Sequence, residues 1–158
     1  MIAPLDVSAF PVLFPDFNDV IIISADGEIT RKHREVAAEF SQQQRYLICH
    51  RKWSEARLQA ELPKAVDVLE LFAFVRPAQF CLPTPAGLAA RLGLATPISA
   101  EDKALTIFQV TQKLIDELAE QPDEVKQKLA QLADMMGRGG WQWTGPVMTS
   151  LGAISGPE

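Results

Sequence analysis

Hydrophobic positions in the first third of the chain fall into short runs of strand-favouring residues. Phe10, Val12 and Phe14 alternate with other residues from Ala9 to Phe14, and Val20, Ile21, Ile22 and Ile23 form a block between Asp19 and Ser24. Pro15-Asp16-Phe17-Asn18 separates the two with a turn composition, so two strands are predicted. Ala25-Asp26-Gly27-Glu28 is the strongest turn signal of the chain. Asp-Gly supplies the positive φ angles of a tight hairpin, and Glu28-Ile29-Thr30 starts a return strand. A helix follows from about His33 to Gln43, with Val36, Ala37 and Phe40 on one face. Tyr46-Leu47-Ile48-Cys49 is a continuous apolar run, the pattern of a strand buried on both sides, and His50 closes it.

Ser54 is placed to cap a helix reaching about Leu62, with Leu58 and Leu62 four residues apart and Pro63 as its stop. Ala65 to Leu69 reads as a further strand, and Glu70 to Val75 as a turn of helix broken at Arg76-Pro77. Thr84-Pro85 offers a cap with proline at the first helical position, Leu88 and Leu92 face inward, and Gly93 marks the stop. In the last third, Ser99 with Asp102 forms a capping signal. The stripe Ala104, Ile107, Phe108, Thr111, Leu114, Ile115 and Leu118 then predicts a long amphipathic helix. Pro122-Asp123-Glu124 starts another, carrying Val125, Leu129, Leu132 and Met136 and ending near Gly137. Gly139-Gly140-Trp141-Gln142-Trp143 is a loop before a short helix from about Pro146 to Leu151. The order β-β-β-α-β-α-β-α predicts an α/β layer fold, with a C-terminal helical hairpin packed on the sheet.

Composition narrows this. A chain of 158 residues with 47% hydrophobic and 22% charged residues reads as one globular domain with its own core. No apolar run approaches the roughly 18 residues of a membrane span, and the start lacks a basic, apolar leader, so a cytoplasmic protein without a membrane partner is expected. Cys49 and Cys81 lie in apolar surroundings and read as buried thiols. The net charge of -5 opposes bulk attraction to nucleic acid, yet it hides an asymmetry. Basic residues dominate from Arg31 to Arg57 and acidic residues from Glu101 to Asp134. The first half therefore carries either a modest positive surface or ordinary solvated helix faces.

Several chemistries lack their residues. There is no Gly-x-x-x-x-Gly-Lys-Ser/Thr loop and no Gly-x-Gly-x-x-Gly after a strand, so no nucleotide cofactor is expected. His33, His50 and the two cysteines have no zinc-ligand spacing. Cys49 and His50, adjacent on one strand, would point to opposite faces.

The stretch YLICHRKWSEARLQAELPKAVDVLELFAFVRPAQFCLPTPAGLAARLGL, Tyr46 to Leu94, resembles the middle of DEDD-family 3'-5' exonuclease domains, which have an RNase H-like fold. In that family a strand ends in His-Asn-Ala-x-Phe-Asp, and a later strand carries Asp-Thr before a Pro and a helix ending Leu-Gly-Ile. The counterparts are His50, Asp67, Pro77 and Leu92-Gly93-Leu94. The run DVLELFAFVRPAQFCLPTPAGLAARLGL and the later GRGGWQW resemble the N-terminal region of bacterial DinG-type ATP-dependent DNA helicases.

The resemblance implies an RNase H-like mixed sheet flanked by helices, with an exonuclease-like core over 1–96 and a helical extension over 97–158. Such nucleases hold two divalent metals with four carboxylates. The first motif, Asp-x-Glu, has its literal match at Asp26-Gly27-Glu28, where a hairpin turn would aim both carboxylates at solvent. The second falls on Glu55, a longer side chain, beside Arg51 and Lys52 in place of small residues. In the third, Asp102 fits but Pro97 stands where a histidine is needed, and proline moves no proton. Asp102 also has a sufficient structural role in the Ser99 cap.

The resulting expectation is a catalytically inactive accessory module, with no catalytic residue, no metal site and no cofactor. A downstream helicase motor domain is one expected partner. Single-stranded nucleic acid is the other, met by His50, Arg51, Lys52 and Trp53, since Trp53 can stack a base while cations meet phosphates. Against this stand a backbone-bonded His50 and a Trp53 packed on its own neighbours. Trp141 and Trp143 either dock a partner or cap the core. Leu71, Phe72, Phe74 and Phe80 exceed what one short element buries, suggesting a further contact surface. The rival readings are an active nuclease using Asp26, Glu28, Glu55 and Asp102, and a protein-interaction or dimerisation module that binds no nucleic acid.

Overall fold

A computed structural model describes residues 10–152. In chain order the elements are β1 (Val12–Asp16), β2 (Asp19–Ile23), β3 (Ile29–His33), α1 (Arg34–Phe40), a 3₁₀ turn (Ser41–Gln43), β4 (Leu47–Ile48) and α2 (Arg51–Leu58). They continue with β5 (Val66–Asp67), α3 (Val68–Val75), α4 (Pro85–Leu92), α5 (Ala100–Ala119), α6 (Asp123–Arg138) and α7 (Thr144–Ser150). The predicted order of strands and helices is therefore the observed one, and the fold is α/β.

The five strands form one mixed sheet in the order β3-β2-β1-β4-β5. β2 runs antiparallel to β1 and β3, while β4 is parallel to β1 and β5 is parallel to β4. Side chains alternate between the two faces as the pleat requires. Val12, Phe14, Ile21 and Ile23 join Leu71, Leu88, Ile107, Leu114, Trp143 and Val147 in one core. Leu13, Val20, Ile22 and Ile48 join Ala37, Leu58 and Leu62 in a second core on the other face. Because helices cover both faces, β2 and β4 read as unbroken apolar runs rather than alternating ones.

The termini of α4, the start of α5 and the β2–β3 turn follow the sequence signals closely. Thr84 caps α4 by accepting from the Gly87 N–H, and Gly93 takes the left-handed closing position at φ 74°. Ser99 and Asp102 form a reciprocal capping box at the start of α5. Asp26-Gly27 turns β2 into β3, with the Gly27 N–H on the Ser24 carbonyl at 2.9 Å.

Beyond the strand read over Ala65–Leu69, which stops at Asp67 because that residue caps α3 from Val68, four expectations need correction. First, β1 runs on through Pro15 to Asp16, leaving Phe17-Asn18 as a two-residue turn. Ladder alternation from the Asp16–Asp19 pair aims the Pro15 nitrogen at the β4 side, and β4 has already ended there, so its missing N–H costs no ladder bond. Second, α2 begins at Arg51 and ends at Leu58, with Gln59 left-handed at φ 60°. Its cap is His50 rather than Ser54, which is buried and donates its hydroxyl to the Cys49 carbonyl at 3.0 Å. Third, only the first helix of the C-terminal pair lies on the sheet, because α5 packs on β1 and β2 while α6 packs chiefly on α7. Fourth, Leu71, Phe72 and Phe74 are all buried, so only Phe80 of that group is left outside, 71% exposed.

Trp143 is wholly buried, and its indole N–H donates to the Asp67 carbonyl at 2.8 Å, which ties the C-terminal segment to the tip of β5. Among the described residues no helix is long and apolar enough to cross a membrane.

Candidate functional site

In an open α/β sheet, ligands favour the crevice at the carboxyl ends of the strands where strand order reverses. Here that point lies between β1 and β4. Phe14, Cys49, His50, Trp53, Thr84 and Lys103 line a cavity of about 300 Å³ there. Lys103 is the one formally charged side chain in its lining, and no carboxylate faces it among the described residues.

His50 sits at this edge with φ 70°, a left-handed conformation that non-glycine residues adopt only when their surroundings impose it. The buried Asp67 imposes it. Its carboxylate accepts from the backbone N–H groups of His50 at 2.9 Å, Arg51 at 2.8 Å and Leu69 at 3.0 Å. One side chain at the end of β5 therefore orients the exit of β4 and caps α3. The His50 Nδ1 in turn accepts from the Trp53 N–H at 3.1 Å, which leaves Nε2 as the nitrogen able to meet a ligand.

The four residues expected to touch nucleic acid occupy different situations. Lys52 is exposed, and no carboxylate pairs with it among the described residues. Arg51, expected to meet nucleic acid, is half-buried instead, and its guanidinium donates to the carbonyls of Leu62 and Ala65. Those carbonyls lie in the connection between α2 and β5, so Arg51 fastens that loop before it can reach a phosphate. Trp53 is 37% exposed and leans on Phe14, with ring centroids 5.7 Å apart.

The structure adds two residues to this group. The Arg57 guanidinium lies 5.3 Å from the Trp53 ring centre and 5.4 Å from that of Phe17. Phe17, in the β1–β2 turn, is 77% exposed. Arg57 was legible as the i+4 neighbour of Trp53 on one helix face. Phe17 carried no such signal, because only the sheet brings its turn beside α2.

The nuclease carboxylates do not converge. Asp26 stays in its turn, where the Ser24 hydroxyl and the Glu28 N–H hold its carboxyl below the usual carboxylate range. That turn follows Ile23, the partner of Val12, and so lies at the opposite end of β1 from Asp16. Glu55 accepts from the Leu62 N–H at 2.7 Å. Asp102 accepts from the Ser99 N–H at 3.4 Å within its capping box.

The central strand ends instead on Asp16-Phe17-Asn18, with an amide two places after the aspartate where the nuclease pattern has a glutamate. Arg31 approaches Asp16 at 3.5 Å, Asp19 at 3.2 Å and Glu101 at 2.9 Å, so this charge is already countered. No group of three or more His, Cys, Asp or Glu side chains among the described residues is placed to hold a metal ion. The residues present do not fit a two-metal centre.

The remaining candidates serve the core. Trp143 is buried, and Trp141 packs on Phe74 with centroids 5.0 Å apart. Cys49 is a buried free thiol, as expected, and burial pushes its pKa well up; Cys81, expected to be buried too, is free but only half-buried. Compared with protein-family models, curated proteins and solved structures, the chain matches none.

Proposed function

We propose that this chain is a nuclease-fold domain without a nuclease centre, of RNase H-like ancestry, serving as an accessory module of a DinG-type DNA helicase. In this reading it holds single-stranded nucleic acid weakly at the β1–β4 edge. The observation that carries it is the pairing of a sheet ordered 3-2-1-4-5, its second strand alone reversed, with carboxylates dispersed into local structural tasks. A mixed sheet flanked by helices is what the RNase H-like resemblance implies, and this sheet is compatible with it. Catalysis on it would need charges gathered at the end of β1 to position water and neutralise a leaving oxygen. Asn18, Glu55 and Pro97 stand in the places that matter.

Binding without chemistry remains available to this edge. It has an aromatic-lined cavity, the ammonium of Lys103, the exposed Lys52 and a tryptophan open to one side. With a net charge of -5 on the whole chain, long-range attraction is slight. Affinity is expected at roughly 10⁻⁴ to 10⁻⁶ M, falling steeply with salt.

A docking role toward a motor domain is a second reading, favoured by one observation. Leu132 of α6, 46% exposed, lines a groove between α3 and α6, and Met135 on the same helix is 66% exposed. One experiment separates these readings. Purified chain is incubated with labelled single-stranded DNA and Mg²⁺ or Mn²⁺ while anisotropy and strand length are followed. Salt-sensitive binding with the strand intact supports the nucleic-acid role. Cleavage abolished by Glu55→Gln overturns the loss of catalysis, and an unchanged anisotropy at low salt leaves the docking role in its place.

A further inference from the structure

Phe17 combines two features that stability alone would not select. It holds a positive φ of 44°, and its ring is 77% exposed. A two-residue hairpin turn of this kind favours glycine where φ is positive, and a bulky side chain there is an outlier. Strain of this sort persists where the surroundings enforce it, and it concentrates at ligand-binding positions. The exposed ring is also not isolated. Arg57 sits over Phe17 at 5.4 Å and over Trp53 at 5.3 Å, and Trp53 reaches Phe14 at 5.7 Å along the wall of the cavity. Among the described residues no carboxylate forms an ion pair with Arg57, Lys52 or Lys103. A continuous line of ring, cation, ring and ring therefore runs from the β1–β2 turn into a pocket with one positive group.

We infer that Phe17, Arg57 and Trp53 form a stacking track for an unpaired polynucleotide strand, with one base on the Phe17 ring and a neighbouring base in the cavity against Trp53 and Phe14. This deepens the nucleic-acid reading above and rests on it. Arg57 spans the interval between the two bases, where its planar cation meets the backbone phosphate without leaving the rings. Lys103 receives the charge of the nucleotide that enters the cavity. Bases suit such a line because every base has a π face, so the track selects single strands over duplex, whose bases are already stacked, and reads little sequence. A neutral or basic peptide would leave Arg57, Lys52 and Lys103 without counter-charge, whereas a polynucleotide offers a base for each ring and a phosphate at every step, so a strand is the better occupant.

The test uses the whole chain and a fluorescein-labelled oligothymidylate of about 12 nucleotides, within the range one small domain covers. An oligomer of the same length, abasic throughout, serves as the control with equal phosphate charge. Wild type is expected to bind the thymidine strand at least about tenfold tighter than the abasic one, with tryptophan fluorescence quenched on binding. Phe17→Gly, which accepts the positive φ without strain, should weaken thymidine binding by about fivefold to tenfold while its melting temperature stays within a few degrees of wild type. Arg57→Gln should do the same, and Trp53→Phe should remove most of the quenching.

Equal binding of thymidine and abasic strands overturns the track. So does unchanged affinity in Phe17→Gly and Arg57→Gln alongside a loss in Lys52→Glu. In both cases charge-driven binding at this edge survives. Absence of any binding by wild type at low salt overturns the track together with the reading beneath it.

Discussion

The two ends of the central strand solve the same geometric problem in opposite ways. Beyond Val12, β2 turns into β3 through Asp26-Gly27, and glycine takes the positive φ of 92° without a side chain to object. Polar groups in that turn are satisfied within it, by Ser24, Asp26 and Glu28. Beyond Asp16, the turn into β2 places phenylalanine at positive φ, and across the sheet edge His50 is left-handed as well. There Asp67 holds the His50 backbone from 17 residues away, and the rings of Phe17 and Trp53 stand open. One end is a turn optimised for itself. The other places two non-glycine residues at positive φ beside a cavity, the kind of backbone strain that concentrates at ligand-binding positions.

The largest effect should come from removing what enforces the distorted end. Asp67→Ala leaves three backbone N–H groups without their acceptor in a buried position and removes the cap of α3, a loss on the order of 3 kcal/mol. Urea unfolding should show it, together with weaker strand binding in whatever fraction remains folded. Asp67→Asn keeps an acceptor oxygen and should cost less. A loss below about 1 kcal/mol for the alanine variant would mean that His50 keeps its conformation without Asp67.

Next in size is the contrast between the two turns. Gly27→Ala should destabilise by about 1 kcal/mol through backbone strain alone, because no atom lies within 4 Å of the added methyl group. Phe17→Gly should change stability by less than about 1 kcal/mol, because relief of strain offsets the greater freedom of the unfolded chain. If the phenylalanine variant loses as much as the glycine one, Phe17 is a structural residue and the contrast fails.

A smaller effect concerns the cavity wall. Burial raises the pKa of Cys49, so its thiol stays protonated, and alkylation by iodoacetamide at mild alkaline pH should be much slower there than at the half-buried Cys81. Both should react alike in urea. Mass spectrometry of the labelled chain separates the two sites.

The smallest expected effect is electrostatic. Arg31 holds the Glu101 carboxyl below its ordinary range, so its contribution to stability is present above the ordinary carboxylate pKa and is lost as pH falls through the lowered one. Arg31→Met should therefore lower the melting temperature slightly at neutral pH, with the difference closing in acid. The pair is exposed, so high salt should shrink it too.

Most of the fold was legible because its signals are local. Asp26-Gly27, Thr84-Pro85, Gly93 and the Ser99–Asp102 box each act within a few residues, and each appears where the pattern put it. The failures lie where a distant residue decides. Ser54 looked like the cap of α2, but Asp67, 17 residues from His50, turns the backbone so that His50 takes that place. Pro15 looked like a break in β1, and only the early end of β4 makes it tolerable. The candidate site shows the same division. His50, Lys52 and Trp53 were readable from their place after a buried strand, whereas Arg51 turned inward to carbonyls of a later loop. Phe17 and Lys103 reach the edge from elements whose packing no local pattern records.

We propose that a strand binds at the β1–β4 edge and not near the acidic Asp26–Glu28 turn. Amide chemical shifts of the isotope-labelled chain, followed through a titration with unlabelled oligothymidylate, address it most directly. Shifts should concentrate at Asp16–Asn18, at His50–Arg57 and around Lys103, while Ser24–Glu28 stays still. Shifts clustered on the Asp26 turn, or on the outer face of α6 with the β1–β4 edge unmoved, would contradict it.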